Sequence, residues 1–153
     1  MAGAGQFGTA EQGIFSFWIH SHARKKPLKY IAFGGKGLQV RDAFHPDDLA
    51  DLIYRQMSSS DNTGTHQFNV GGGIENAMSL AQLTTWCNER FGNHKVSADL
   101  TPRPYDIPWM VMDNQAVSKK FGWIPTKGLL SILEEIADHA DKNKDWFEKI
   151  GIA

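Results

Sequence analysis

The 153-residue sequence predicts an α/β fold, mostly helices with a few short strands, in one domain spanning 1–153. Three observations predict it. Apolar side chains recur at three-and-four spacing in several stretches, the period of a helix with one buried face. Short runs rich in β-branched and aromatic residues fall between them. Glycines and prolines then divide the chain into the order helix, strand, helix, strand, helix, strand, helix, helix. For an independent parallel sheet this is thin in strands.

The opening glycines, within residues 1–8, read as a flexible start. Thr9 and Gln12 then form a capping-box pattern for a helix running to about Ala23, with Ile14, Phe15, Trp18 and Ile19 on one face. Arg24, Lys25 and Lys26 suit its negative end, and Pro27 stops it. His20 and His22 are two apart, so on a helix they face different ways and make no metal pair; packing or surface roles remain. Lys29 to Phe33 is the first strand.

A Gly34-Gly35-Lys36-Gly37 turn leads to a second extended piece, Val40 to Asp42. Pro46 sits in a first helical turn, where its missing N–H costs nothing, with Asp47 and Asp48 favourable beside it. Leu49, Leu52, Ile53 and Met57 line that helix. A polar loop over 58–64 precedes a strand at Gln67 to Val70. The following Gly71-Gly72-Gly73 is not a dinucleotide fingerprint, because the spacing is wrong and no helix starts directly after it.

Ser79 caps a helix from Leu80 to Phe91, ended by Gly92. Cys87 lies on its apolar face, and nothing nearby in sequence would lower its pKa. Lys95 to Ala98 alternates like a strand. Residues 101–106, with prolines at 102 and 104, form a rigid loop that aims Arg103 and Asp106. Asp113 caps a helix to Phe121. A long amphipathic helix follows from Lys127 to about Asn143, carrying Leu129, Leu130, Leu133, Ile136 and Ala137. Asp145 to Ile150 adds a last turn.

The bulk numbers exclude several classes. A net charge of -1 makes no field for nucleic acid or an anionic membrane. No apolar run approaches the ~20 residues of a membrane span. A single cysteine forbids an internal disulfide and suits a reducing cytoplasm. No zinc spacing and no Ser-His-Asp or Cys-His pattern stands out.

The most suggestive stretch is 33–48. Arg41 is held between a glycine turn and a helix start, a way to position a guanidinium for a phosphate. The alternative is that Arg41 pairs with Asp42 or Asp48 and ties a corner.

Four pieces in order, GAGQFGTAEQG, LKYIAFGGKGLQVRDAFHPDDLADLI, FNVGGG and RPYDIPWMVMDNQAVSKKFGWIP, resemble the extended short-chain dehydrogenase/reductase family. These are NAD-dependent nucleotide-sugar epimerases and dehydratases; the forms QFGxxxQG and GGKGxQVRD lean toward the CDP-paratose (CDP-tyvelose) 2-epimerase branch. The resemblance covers nearly the whole chain and matches the C-terminal lobe of that Rossmann-type fold.

The resemblance implies that the dinucleotide-binding half is missing, with its glycine-rich motif and Tyr-x-x-x-Lys pair. This chain would then bind no NAD and turn nothing over alone, and its partners would be that half and a nucleotide-sugar substrate. Arg41 and Arg103 match the arginines that contact the diphosphate. Asp106 matches a ribose-side or arginine-orienting residue, and Gln12 a polar residue near the phosphates. Ile31 to Phe33 match the strand beside which the base sits. Residues 68–70 resemble the last strand of the parent sheet, whose exposed edge invites a homo-oligomer. A free-standing nucleotide-binding module and a structural or oligomerising remnant remain the alternatives.

Overall fold

The computed structural model describes residues 1–6, 8–9, 12–60, 67–104 and 106–151. Among the described residues six α-helices and five short strands run in the order α1 (Ile14–Ala23), β1 (Leu28–Ile31), β2 (Val40–Asp42), α2 (Pro46–Ser58), β3 (Ala77–Ser79), α3 (Leu80–Phe91), β4 (Val96–Asp99), β5 (Trp109–Met110), α4 (Gln115–Phe121), α5 (Leu129–Lys142) and α6 (Trp146–Lys149). The mostly helical α/β expectation holds.

Two small sheets organise the chain. β1 and β4 pair in parallel, Leu28 opposite Val96 and Ile31 opposite Asp99. β2 is the centre of the second sheet, antiparallel to β3 and parallel to β5. β3 and β5 are absent from the sequence reading. At three and two residues they have no periodicity of their own, and pairing with β2 defines them.

α1 is the central helix rather than a surface one. Phe15, Trp18 and Ile19 are buried, and so are Ser16, His20, Ser21 and His22. α3 and α5 pack against it, bringing Leu83, Cys87, Ile132, Leu133 and Ile136 into one core. A second cluster joins Phe44, Leu52, Val117 and Trp123. Its indole N–H donates to the Asp48 carbonyl at 3.0 Å.

Several local expectations change. The pattern at Thr9 does not start α1. Thr9 Oγ1 accepts the Gln12 amide at 3.0 Å, but Gly13 is left-handed (φ 69°) and separates that turn from the helix. Ala10 and Glu11, inside the expected helix, lie outside the described residues.

The start is tied down at its described positions. The Ala2 amide donates to the Phe44 carbonyl at 2.8 Å, and Ala2 is buried. β1 ends at Ile31, because Ala32 and Phe33 take positive φ (58° and 43°) and turn the chain. Ile53 and Met57 are exposed, so α2 buries a narrower stripe around Leu52. Residues 67–70 join neither sheet; Phe68 and Val70 pack on the second cluster instead.

α3 matches its sequence signals most closely. Ser79 Oγ accepts the Gln82 amide, and the Gln82 side chain returns to the Ser79 amide. His45 caps α2 by accepting the Asp47 amide on Nδ1 at 3.1 Å. No helix of the described residues is long and apolar enough to cross a membrane.

Candidate functional site

Charge and cavity meet at β2. Strand pairing fixes Arg41 between Met78 and Met110. The proline loop runs into β5, whose parallel register with β2 brings Asp106 alongside Arg41. Arg41 Nη2 donates to Asp106 Oδ1 at 2.7 Å, and Nη1 donates to the Val40 carbonyl at 2.7 Å. The two side chains are 27% and 18% exposed. Further N–H donors of the guanidinium fork remain for a ligand.

Arg41 thus pairs with Asp106 rather than with Asp42 or Asp48, which are engaged elsewhere. Asp42 Oδ2 accepts the amides of Gly73 (2.9 Å) and Met112 (3.2 Å). Asp48 is buried; it accepts the Thr126 amide and hydroxyl (2.8 and 2.7 Å) and the Lys127 amide (3.2 Å). Each carboxylate thus braces neighbouring loops, at Gly73 and Met112 or at Thr126 and Lys127.

Two small cavities adjoin this strand. One, about 190 Å³, is lined by Ile31 and Arg103 together with Phe17, Trp18 and Leu28. The other, about 20 Å³, has Arg41 in its wall. Ile14, Gln39 and Leu80 belong to both, so the two form neighbouring recesses with a shared partition.

The floor is rigid. Trp18 stacks on Tyr30 with ring centres 5.6 Å apart. Thr84 Oγ1 accepts the Trp18 indole N–H (3.0 Å) and the Tyr30 hydroxyl (2.6 Å), and donates to the Leu80 carbonyl. Gly37 lies against the Tyr30 ring with φ 66°, where a Cβ would collide with the ring edge. Only glycine satisfies both demands.

Four of the six predicted site residues therefore come together: Ile31 and Arg103 at one recess, Arg41 at the other, and Asp106 on Arg41. Two do not. Gln12 is exposed in the turn before α1, and Phe33 sits in a 3-10 turn beyond β1; neither lines these recesses. Gln39, just before β2, lines both recesses and is not singled out by any sequence pattern.

A larger open groove of about 910 Å³ runs along residues 72–76, 109, 111–115, 118 and 124–128. None of the six positions lines it. Its rim carries the exposed apolar side chains Ile74, Trp109 and Ile124.

The triple glycine is no phosphate cradle. The Gly71 and Gly73 amides already donate to Asn114 Oδ1 and Asp42 Oδ2, and Gly72 lies against the Ala43 carbonyl where a Cβ would not fit. This glycine run thus does not fit the phosphates of a dinucleotide such as NAD.

Nor is the buried thiol activated. Burial pushes the Cys87 thiol up to about 12. Burial, then Arg24 and His139, lower His20 to about 4. Among the described residues no group of three or more His, Cys, Asp or Glu could hold a metal ion.

No family model matches the chain. CDP-paratose 2-epimerase of Salmonella typhi is 28% identical over 158 aligned residues, covering 98% of this chain and 43% of that protein. UDP-glucose 4-epimerase of Caenorhabditis elegans is 26% identical over 114, covering 72% and 32%. Among solved structures, the UDP-glucose 4-epimerase of Thermotoga maritima with UDP-glucose superposes with a TM-score of 0.75 at 24% identity, covering 93% of this chain and 43% of that one. The UDP-glucuronic acid 4-epimerase of Bacillus cereus, complexed with UDP-glucuronic acid and NAD, gives 0.75 at 22%, covering 92% and 42%. The chain thus spans less than half the length of the relatives it matches, and its fold is that of their C-terminal portion.

Proposed function

We propose that this chain is the nucleotide-sugar-binding lobe of an NAD-dependent epimerase or dehydratase of the extended short-chain dehydrogenase/reductase family, with a pyrimidine diphosphate sugar as its ligand. One observation carries the proposal: Arg41, aligned by Asp106, and Arg103 line neighbouring recesses with a shared partition. A diphosphate carries about two negative charges, and guanidiniums are suited to it as planar multidentate donors. The apolar walls at Ile31, Phe17 and Leu80 suit the flat ring attached to it.

In this reading each residue has a task that needs no chemistry of its own. Arg41 and Arg103 neutralise the diphosphate, and Asp106 holds the Arg41 fork. Ile31 walls the ring. The lobe thereby fixes where the sugar stands, which is how a binding half contributes to rate. NAD would be held by another part of the parent protein. That part would also be this lobe's main partner.

A calorimetric titration of the chain with CDP and UDP tests the reading. Saturable binding of either, with NAD silent, is expected. A chain that binds neither contradicts it.

A second reading is favoured by a different observation. Ile74, Trp109 and Ile124 are 62%, 56% and 64% exposed around the open groove. Apolar side chains gathered this way suit a face covered by another protein part. On that reading the lobe is an assembly element without affinity for nucleotides, and it runs as a dimer or larger species on gel filtration.

A further inference from the structure

We propose that Gln39 is the specificity-determining residue that hydrogen-bonds the nucleoside part of the ligand. This rests on the nucleotide-sugar reading above. Gln39 belongs to the partition between the two recesses, with Arg103 lining one and Arg41 the other. Its side-chain oxygen is buried and has no hydrogen-bond partner among the described residues. A buried acceptor left unpaired is costly, so native proteins hold few of them.

The backbone around it is pinned. The Gln39 carbonyl accepts the Leu80 amide at 3.2 Å, and the next amide, of Val40, donates to the Pro108 carbonyl at 2.8 Å. The amide therefore stands on a fixed base between apolar neighbours, Ile14 and Leu80.

The chemistry then selects the ligand group. Arg41 and Arg103 offer only donors, which match phosphate oxygens. Phosphate oxygens are acceptors and cannot serve another acceptor. The Gln39 oxygen needs an N–H or O–H, and on a nucleoside diphosphate those belong to the ribose hydroxyls and the polar edge of the base. Gln39 thus reads the nucleoside while the arginines hold the phosphates.

The test is Gln39→Leu beside wild type, titrated with CDP, UDP, 2′-deoxy-CDP and inorganic pyrophosphate, with thermal melting of the free proteins. The expected result has two parts. The free variant melts about 2–4 °C higher, because an unpaired buried acceptor is gone. Its affinity for CDP or UDP falls roughly three- to tenfold while pyrophosphate is unchanged. If the loss disappears with 2′-deoxy-CDP the partner is the 2′-hydroxyl; if it persists the partner is the 3′-hydroxyl or the base.

A variant that melts lower, binds CDP and UDP as wild type does, or loses pyrophosphate equally overturns the inference alone. A wild type that binds neither nucleotides nor pyrophosphate overturns the nucleotide-sugar reading, and this inference with it.

Discussion

Arg41 and Asp106 meet at 2.7 Å although 65 positions separate them in the chain. Two short strands make the meeting. β5 lies parallel to β2 with Met110 opposite Arg41, so the proline loop ahead of β5 delivers its carboxylate to the guanidinium. A partly exposed pair of this kind adds at most about 1 kcal/mol to stability, so its value lies in aiming the guanidinium.

That argument separates binding from folding at Arg41. Arg41→Ala is expected to weaken binding of a pyrimidine diphosphate tenfold or more while costing about 1 kcal/mol or less in urea unfolding. Arg41→Lys is expected to recover little, because a point charge lacks the planar fork. Equal loss of stability and binding would make Arg41 a fold residue.

Asp48 gives the opposite signature. It is buried and receives three hydrogen bonds from Thr126 and Lys127. Asp48→Ala leaves those donors without their acceptor and is expected to cost about 2–4 kcal/mol. Asp48 does not touch Arg41, so the double variant Asp48→Ala/Arg41→Ala is expected to be additive in denaturant unfolding. A coupling above about 0.5 kcal/mol would restore the idea that the two tie one corner.

Gly37→Ala tests the floor of the recesses. The residue has φ 66°, and an added Cβ meets the Tyr30 ring. A loss of about 1–3 kcal/mol is expected. Tyr30 stacks on Trp18, so near-ultraviolet circular dichroism should change with it. An unchanged spectrum and melting point would show that the ring is not seated there.

Stability should fall in mild acid. His20 is buried against His139, Arg24, Trp146 and Phe147, with its Nε2 3.4 Å from His139 Nδ1. Burial first, then Arg24 and His139, lower it from the usual 6.5 to about 4, and His22 and His139 are lowered too. Between those values the unfolded chain binds more protons. The stability that neutral His20 contributes is therefore present above pH ~6.5 and is lost as pH falls toward about 4, at up to about 1.4 kcal/mol for each pH unit. Urea midpoints at pH 7 and pH 5 check this, and His20→Phe should flatten the slope. A chain equally stable at both pH values would contradict the buried neutral histidine.

Much of this fold was legible from local signals, and the failures share a cause. α3 was readable because Ser79, Gln82 and Gly92 act within one helix. α2 was readable at its start, where Pro46 marks the first turn, but not across its width. Whether Ile53 and Met57 are covered depends on neighbours, and α4 with Trp123 covers only the Leu52 side. β3 and β5 were invisible because three or two residues carry no period, and their pairing with β2 is long-range. At the site, motif position suggested Arg41, Arg103, Asp106 and Ile31, which the fold gathers around two adjoining recesses. Gln12 and Phe33 line neither recess, because left-handed turns at Gly13, Ala32 and Phe33 redirect the backbone. Gln39 escaped notice because an unpaired buried oxygen is a property of packing.

The most direct measurement is a heteronuclear NMR titration of the chain with CDP, UDP and NAD, wild type beside Arg41→Ala. The nucleotide-sugar reading predicts saturable shifts at Ile31, Gln39, Arg41 and Arg103 with a pyrimidine diphosphate, lost in the variant and absent with NAD. Shifts that avoid these residues, or that persist unchanged in Arg41→Ala, would contradict it.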